Sequence, residues 1–393
     1  MTPATMLPTQ HVNQTKMMKL FFIELQYTLL LSSCRQNAHF VISYNSYMSK
    51  NYQAKNQLST LLNKFLLTVL MSGLFLGLAS PVSARENSVF GIHLMNPGEI
   101  EKASELLNPA PNDEWNYVTV PLTLDDIKKP NEWKEFFAQA KQKKIIPIVR
   151  LMTRFDNGSW QVPTKKNIVD LVTFMSSFEW PTDKRYIIVF NEVNHAKEWG
   201  GKIDPQSYAD TLTFTADWAH SEAKNYQVLP AAMDLDAPNG GSTKEAFQYL
   251  SEMLSYNAQI FDTVDYWNSH SYPNPAFSSS PTKTGKNSMR GFATELAYLK
   301  DKTGKDFRTF VTETGWTENG TTRRWLNSYY QYTSDNIWSD EHVVAVTPFV
   351  LQGDPGPFSG FSFLDKNGKP TNQYHAYQEV IKQSLDKVIA QNR

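Results

Sequence analysis

The sequence predicts an α/β fold, a single (β/α)8 TIM barrel preceded by an N-terminal signal peptide. Three observations carry this prediction: a change in charge balance near residue 84, a charge-free apolar segment just before it, and eight apolar runs that alternate with helical patterns after it. The hydrophobic content of 41% is ordinary for a soluble globular protein, and it excludes a disordered chain and a many-pass membrane protein.

Charge divides the chain into two parts. Residues 1–84 carry six basic side chains and one acidic side chain, whereas residues 85–393 carry 32 basic and 38 acidic ones. An acidic body has no basic surplus with which to neutralise phosphates, so no nucleic-acid partner is expected. The 309 residues of this second part are enough to bury a large hydrophobic core.

The segment Phe65–Leu78 is apolar, carries no charge and is short for a bilayer span. Lysines precede it, and Pro81–Ala84 follows with small residues at the −3 and −1 positions. These are the parts of a secretory signal peptide, so residues 48–84 are predicted to be one, with cleavage after Ala84 and a secreted or periplasmic product. An uncleaved anchor is one alternative; after cleavage, no stable membrane insertion is expected.

Met48 is the expected initiator, because a signal peptide normally begins its own chain. Residues 1–47 are then predicted to be a disordered start-site extension. A second alternative is a lipoprotein, because the segment that ends at Cys34 resembles a lipoprotein cleavage box. Cys34 is the only cysteine. The processed chain therefore has no disulfide, no thiol nucleophile and no cysteine-bound zinc.

The body contains eight nearly continuous apolar runs, as expected for parallel strands that are buried on both faces. The predicted strands are Ser88–Leu94, Tyr117–Leu122, Ile145–Leu151, Tyr186–Asn191, Gln227–Met233, Val264–His270, Thr309–Glu313 and Val343–Leu351. Helical patterns follow them at Gly98–Leu107, Glu132–Lys144, Lys166–Phe178, Pro205–Asn225, Thr243–Tyr256, Met289–Thr303, Thr322–Trp338 and Gln373–Ile389.

Eight strand–helix units over residues 85–393 match one (β/α)8 barrel, which typically takes about 250 residues plus insertions. We therefore expect a single domain. The protein is also expected to be a monomer, although the strand count does not bear on its oligomeric state. A doubly wound open sheet is the alternative, because counting strands does not exclude it. A nucleotide-binding version of that sheet has no support, since neither GxGxxG nor a Walker-type motif is present.

Two glutamates stand at the ends of the fourth and seventh predicted strands. Glu192 follows strand Tyr186–Asn191, and Glu313 ends strand Thr309–Glu313. In a TIM barrel the reactive groups lie at the C-terminal ends of the strands, and the ends of strands four and seven can face each other. Two carboxylates about 5–5.5 Å apart suit retaining hydrolysis of a glycosidic bond, one as nucleophile and the other as acid and then base.

Asn191-Glu192 and the motif Glu313-Thr314-Gly315-Trp316 resemble the paired signatures of clan A, the retaining (β/α)8-barrel glycoside hydrolases that include cellulases, mannanases, β-glucanases and β-xylosidases. The resemblance covers residues 88–389 without fixing a subfamily. It implies that Glu192 is the acid/base, Glu313 the nucleophile and Asn191 the donor to the sugar 2-hydroxyl. It further implies an enzyme that cleaves β-linked glycosides or polysaccharides by double displacement, without metal or organic cofactor, and the predicted signal peptide makes this an exported enzyme.

Three further strand-end residues are candidates for this site. The clan often places a His and a Tyr, one residue apart, after strand six, where this chain has His270 and Tyr272. Tyr272 is expected to hydrogen-bond Glu313, and His270 to tune Glu192 or contact the sugar. Arg150 at the end of strand three needs a carboxylate partner, for which Glu313 is one option and a structural ion pair the other.

The chain departs from the clan in three places. The clan's arginine usually follows strand two, a proline usually follows the acid/base where this chain has Val193, and strand eight usually ends with a tryptophan that Val343–Gly353 lacks. Phe349, Phe358 or Phe361 is expected to replace that tryptophan. Because of these departures, the sequence does not identify the sugar that the protein binds. The alternative function is that of a catalytically silent glycan-binding protein of the same fold.

Sugars stack their apolar faces on aromatic rings, so tryptophans near the predicted strand ends are candidate substrate platforms. Those in or beside such loops are Trp160, Trp199, Trp267 and Trp316. Core packing is the alternative for each of them. The expected partner is an oligo- or polysaccharide, and a metal-dependent hydrolase is not expected, because only His93 and His270 lie at predicted strand ends.

Overall fold

A computed structural model of the 393-residue chain describes residues 87–110 and 113–391. The predicted signal peptide 48–84, its cleavage site after Ala84, the extension 1–47 and Cys34 lie outside the described residues. Among the residues that are described, no helix is long and apolar enough to cross a membrane.

All eight predicted strands are present, together with one unpredicted hairpin. The strands are β1 Gly91–His93, β2 Asn116–Leu122, β3 Ile145–Leu151, β4 Phe155–Asp156, β5 Ser159–Trp160, β6 Arg185–Val189, β7 Tyr226–Pro230, β8 Trp267–Ser271, β9 Thr309–Thr314 and β10 Val343–Val346. Strands β4 and β5 form the hairpin, and the other eight correspond to the predicted runs.

The eight strands are parallel and lie in two sheets. The first has the order β1-β2-β3-β6-β7 and the second the order β10-β9-β8. Single parallel bridges, Phe90 to Val346 and Asp234 to His270, join the two sheets at their edges. The strands follow the order of the chain, whereas a doubly wound sheet reverses its order near the centre. The doubly wound alternative is therefore wrong.

The eight predicted helices are also present. They are α1 Ile100–Leu107, α2 Pro130–Gln142, α3 Lys165–Ser176, α4 Pro205–Glu222, α5 Ala246–Tyr256, α6 Gly291–Thr303, α7 Leu326–Asn336 and α8 Asn372–Gln391. Helix α4 starts where the sequence indicates, because the Asp204 side chain accepts from the Ser207 backbone N–H and Pro205 takes the first position. Helix α5 starts later than predicted, since Glu245 caps it by accepting from the Gln248 N–H.

Successive strand residues alternate between two buried layers, as the pleat requires. Val149 and Ile187 belong to the layer that includes helix residues, whereas Ile148 and Ile188 belong to an inner cluster. That inner cluster draws on β2, β3, β6, β7, β9 and β10, and its members are Tyr117, Ile146, Ile148, Tyr186, Ile188, Leu229, Phe310 and Ala345. Burial of each large side chain stabilises the fold by about 1.5–3 kcal/mol.

The hairpin β4–β5 lies in the loop after β3, where Phe155 pairs with Trp160. Asn157 and Gly158 form its tip, with φ angles of 49° and 82°. A two-residue hairpin turn with positive φ at both central positions favours Asn-Gly, so this dipeptide is a hairpin signal that the sequence prediction missed.

Candidate active site

The ends of β6 and β9 bring Glu192 and Glu313 to one place. Glu313 lies within β9, and Glu192 lies three residues beyond the end of β6 at Val189. Strand β6 ends two residues before its predicted end at Asn191, because Phe190 adopts a left-handed backbone conformation with φ 69°. One oxygen of each carboxylate and one ring nitrogen of His270 all lie within 4.8 Å of one another.

His270 connects the two carboxylates. Its Nδ1 lies 2.9 Å from Glu192 Oε1, and its Nε2 lies 3.7 Å from Glu313 Oε1. The same Nε2 is 3.3 Å from Arg150 Nη2. The ring is buried, with 2% of the residue exposed, as are all five residues of β8. The contact with Glu192 that the sequence suggested is present.

Arg150 and Tyr272 hold the Glu313 carboxylate from two sides. Arg150 Nη1 donates to Oε1 at 2.6 Å, and the Tyr272 hydroxyl donates to Oε2 at 3.0 Å. Arg150 lies near the end of β3, so strand three supplies the arginine that the clan usually takes from strand two. The carboxylate therefore has two strong donors in a buried site.

These neighbours set the protonation of Glu313. Burial alone would raise its pKa, but His270, Arg150 and His93, together with the Arg150 hydrogen bond, outweigh burial and lower the pKa to about 2. Burial and the charges of Glu313 and Glu192 raise the pKa of the Tyr272 hydroxyl well above its ordinary value. Glu313 is therefore ionised at neutral pH, and Tyr272 keeps the proton that it donates.

His93, at the end of β1, is a site residue that the sequence prediction did not assign to the site. Its Nε2 lies 3.6 Å from Glu313 Oε1, and its ring meets Phe349 edge-on at 5.0 Å. Burial and then the charge of Arg150 lower its pKa to about 3, so the ring is neutral. Neither ring nitrogen has a hydrogen-bond partner among the described residues. Its strand-end position was the signal that could have identified it.

An aromatic wall lies beside Glu313 and consists of Tyr272, Phe277, Phe349, Phe358 and Phe361. Ring centroids are 5.0 Å apart for Tyr272–Phe277, 5.1 Å for Phe277–Phe361 and 5.0 Å for Phe349–Phe358. Phe349 is the member that also contacts His93. Three phenylalanines were expected to replace the tryptophan of strand eight. Phe349 is the one that contacts a site residue, and Phe358 and Phe361 extend the wall.

Three of the four candidate tryptophans have no exposed face. Trp199 is 1% exposed, and Trp267 and Trp316 are 0% exposed. Their indole N–H groups donate to the chain itself, for example from Trp316 to the Ser279 carbonyl at 2.8 Å. A ring buried on both sides cannot stack on a sugar, so the structure contradicts the prediction for these three residues.

Trp160 differs from those three because it is partly exposed. It lies on β5 with its ring 5.6 Å from that of Phe155, whose residue is 59% exposed. The hairpin is held against the loop after β6 by a hydrogen bond from the Gly200 N–H to the Trp160 carbonyl. Trp160 is therefore partly exposed and lies next to the loop that carries Glu192, so its ring can still contact a substrate.

Around Glu192 the loop adds further polar groups. Asn191 precedes it, and its Oδ1 is buried with no hydrogen-bond partner among the described residues. His195 pairs with Asp234 at 2.8 Å between Nε2 and Oδ2, and Asn194 fixes the same segment by donating to the Asp234 carbonyl. Glu198 lies further along this loop and is also buried. The sequence prediction included Asn191, Glu192 and Trp199 from this loop, but not Asn194, His195 or Glu198.

Glu192, His270 and Glu313 are also the described residues whose donor atoms cluster closely enough to hold a metal ion. However, the Arg150 guanidinium already supplies a positive charge 2.6 Å from Glu313, and Glu192 and Arg150 contact the two ring nitrogens of His270. A cation bound to these three residues would lie beside the positive guanidinium, so the donor set does not favour a metal ion.

No protein-family model and no curated protein matches the sequence. Solved structures do match the fold. A monomeric β-xylosidase from Caulobacter crescentus CB15 gives a TM-score of 0.51 at 14% identity, over 74% of this chain and 68% of that one. A glucosidase from Croceicoccus marinus gives 0.54 at 12% identity, over 76% and 67%.

A family 39 glycoside hydrolase from Bacteroides cellulosilyticus WH2 gives 0.52 at 16% identity, over 76% of this chain and 64% of that one. These structural neighbours are glycoside hydrolases of clan A. The resemblance to that clan is confirmed. At 12–16% identity the likeness is one of fold, and the subfamily stays open.

Proposed function

We propose that this chain is a retaining glycoside hydrolase that cleaves β-linked glycosides or polysaccharides, with Glu313 as nucleophile and Glu192 as acid/base. One observation carries the proposal: the two carboxylates approach within 4.8 Å while Arg150 and Tyr272 hold only Glu313. Retaining enzymes need a separation of about 5–5.5 Å, whereas inverting enzymes need about 6.5–9.5 Å to admit a water molecule.

The proposed chemistry has two steps. In the first, Glu313 attacks the anomeric carbon, the glycosidic C–O bond breaks, and Glu192 gives its proton to the departing oxygen. In the second, Glu192 takes a proton from water, the resulting oxygen attacks the anomeric carbon, and the bond to Glu313 breaks. The Arg150 and Tyr272 hydrogen bonds support this sequence, because they keep Glu313 ionised before attack and stabilise it as a leaving group.

The proposed glycone site lies between Glu313, Asn191 and the aromatic wall. Asn191 would bind the 2-hydroxyl, the neutral His93 another hydroxyl, and Phe349 would stack on the sugar face. Trp160 would contact a more distant sugar unit. The glycosidase fold of the neighbours supports a carbohydrate ligand, and the sugar and its linkage are not part of the proposal.

We also propose that the two sheets close into one (β/α)8 barrel. The edge bridges from Phe90 to Val346 and from Asp234 to His270 support closure, as does an inner cluster with members from both sheets. In such a barrel the candidate site lies at the C-terminal face, where enzymes of this fold have their active sites. The proposal includes export, removal of residues 48–84 and a monomeric product.

Labelling with a mechanism-based 2-fluoro-glycoside tests this function. We expect the 2-fluoroglycosyl group to remain on Glu313, identified by peptide mass spectrometry, and product analysis by NMR to show a retained β configuration. The E313Q variant, which keeps the shape but lacks the nucleophile, should take up no label. An inverted product, or label on another residue, would contradict the mechanism.

A panel of substrates distinguishes an enzyme from a silent glycan-binding protein. A panel of β-glucans, mannans, xylans and aryl β-glycosides should yield products with the wild-type chain and none with E313Q. Ligands that shift only the melting temperature, with no product and no label, would favour the binding protein.

A further inference from the structure

The backbone at Glu192 has a conformation that needs support from its surroundings. Phe190 and Glu192 have φ angles of 69° and 29°, in the left-handed region that residues other than glycine rarely adopt. Glu192 also starts a turn, because its carbonyl accepts from the His195 N–H at 2.8 Å. A strained backbone persists only where neighbouring contacts hold it. The contacts of the turn 192–195 therefore bear on the position of the proposed acid/base.

Asn194 is the third residue of this turn, and its side chain binds the loop that follows β7. Its Nδ2 donates to the Asp234 carbonyl at 2.9 Å and to the Lys244 carbonyl at 3.0 Å, and its Oδ1 accepts from the Asp234 N–H at 3.1 Å. The Asn194 carbonyl also accepts from the Lys244 N–H at 2.9 Å. Because the residue is 0% exposed, these contacts within the protein replace water at both polar atoms of the side chain.

Asp234 connects the turn to His270. Asp234 and His270 form a parallel bridge between the two sheets, and His270 Nδ1 lies 2.9 Å from Glu192 Oε1. The contacts that lead from Glu192 through Asn194, Asp234 and His270 therefore return to the Glu192 carboxyl. The backbone and the carboxyl of Glu192 are thus held at the same edge, where the two sheets meet. His195 adds a further contact to this edge, with Nε2 2.8 Å from Asp234 Oδ2.

We propose that Asn194 is a positioning residue that sets the place of the Glu192 carboxyl relative to the departing oxygen. The inference rests on the proposed function of Glu192 as acid/base. Without the Asn194 side chain the turn would lose three hydrogen bonds, and its left-handed backbone would relax and move the carboxyl. The partners of Glu313, which are Arg150 and Tyr272, come from other elements, so its attack should not depend on Asn194.

Kinetics on two kinds of leaving group test this role. We expect N194A to lose about 100-fold in kcat/KM on a glycoside with a poor leaving group, which needs the proton of Glu192, because a displacement of about 1 Å can have an effect of this size. It should lose much less on a dinitrophenyl β-glycoside, whose leaving group needs no proton. For the same reason, a dinitrophenyl 2-fluoro-glycoside should label Glu313 at close to the wild-type rate. Equal losses on both kinds of substrate would overturn the proposal.

The double variant N194A/E192Q shows whether Asn194 acts through Glu192. Once E192Q has removed the acid, N194A should cause little further loss on the poor leaving group, because the two residues serve one step. A general structural defect predicts instead that the two losses multiply. A further loss as large as that of N194A alone would therefore overturn the proposal.

N116A is the matched control for loss of a buried asparagine. Asn116 is 2% exposed and lies at the start of β2, at the opposite end of the strand from the candidate site. Its Nδ2 donates to Asn108 Oδ1 at 2.8 Å. N116A should therefore be less stable than the wild type, but the ratio of kcat/KM between the two leaving groups should not change. A change in this ratio as large as that of N194A would overturn the proposal.

Hydrogen exchange in the wild-type chain tests the contact itself, whether or not N194A folds. We expect the Asp234 N–H, which donates to Asn194 Oδ1, to exchange slowly, as measured by NMR. Rapid exchange of this N–H would show that Asn194 does not hold the turn, and it would overturn the proposal. Absence of turnover in the wild type would contradict the proposed function instead, and the exchange measurement would still decide whether the turn is held.

Discussion

At the scale of single residues, the two central glutamates differ in their partners. Glu313 accepts from Arg150 and Tyr272, whereas Glu192 pairs with His270 and has the more exposed side chain, 19% against 11%. A carboxylate held by two donors stays ionised and is suited to attack. A carboxyl at the edge of the site is suited to give a proton to the departing oxygen in the first step and to take one from water in the second.

Replacing Glu192 by glutamine removes the proposed acid without a change in shape. We expect E192Q to lose about 100- to 10,000-fold in kcat/KM on glycosides with a poor leaving group, and much less on activated aryl glycosides, because these need no proton. Added azide should then restore turnover and give the β-glycosyl azide. The exposed Glu132→Gln serves as the control. Equal losses on both substrate types would contradict the acid role.

The lowered pKa of Glu313 predicts a pH dependence of stability. The ionised carboxylate stabilises the fold above its ordinary pKa of 4.5, and this contribution is lost as the pH falls from 4.5 towards 2. The free energy of unfolding should therefore fall more steeply for the wild type than for E313Q between about pH 5 and pH 3. Urea unfolding at several pH values measures both slopes, and parallel slopes would contradict the assignment.

Removing Arg150 should be costly because it leaves Glu313 buried and unpaired. We expect R150M to lose about 3–5 kcal/mol in the free energy of unfolding, and R150M/E313Q to recover part of that loss. Urea unfolding of the two single variants and the double variant gives the coupling energy. Additive effects would show that the two side chains do not form the ion pair seen at 2.6 Å.

Sequence reasoning placed Glu192, Glu313 and Arg150 together because polar residues that end apolar strands converge in a parallel fold, and the resemblance to clan A added His270 and Tyr272. It did not assign His93 or Asn194 to the site. The partners of His93 come from strands far apart in the chain, and the contacts of Asn194 depend on how its loop packs. Position along one strand or loop carries no information about such packing.

At the scale of elements, continuous apolar runs identified the eight strands of the two parallel sheets, because these strands are covered on both faces. Reasoning from position in the chain also predicted that Trp199, Trp267 and Trp316 contact substrate, whereas their rings are buried. Lying near a strand end places a residue close to the site, but it does not say whether the side chain faces substrate or the layer of helices. The hairpin β4–β5 was missed although its Asn157-Gly158 tip carries a turn signal.

Two tryptophan variants test this correction. We expect W316A to lose about 3–5 kcal/mol in the free energy of unfolding, because its ring is fully buried. W160A should change stability by less than about 1 kcal/mol, and it should raise KM for a polysaccharide more than KM for an aryl glycoside. Thermal unfolding and steady-state kinetics of the two variants give the comparison. A stable W316A would contradict its burial.

At the scale of the whole molecule, the charge change near residue 84 predicts a processed protein. Expressed with its export signal, the chain should yield a mature form whose N-terminus is Arg85, as measured by intact mass and N-terminal peptide analysis. A variant with a bulky charged residue in place of Ala84 should remain unprocessed, because the cleavage site needs a small side chain there. A wild-type product that retains residues 48–84 would favour the anchor.

The His270 ring can report on the charges of the two carboxyl groups beside it. The ring lies between both carboxylates, with Nδ1 2.9 Å from Glu192 and Nε2 3.7 Å from Glu313. Formation of an ester on Glu313 would remove the negative charge near Nε2, while Glu192, having given up its proton, would carry a negative charge near Nδ1. The two ring nitrogens would then respond by different amounts, and their ¹⁵N resonances would distinguish the free enzyme from the glycosylated enzyme without any change to the substrate.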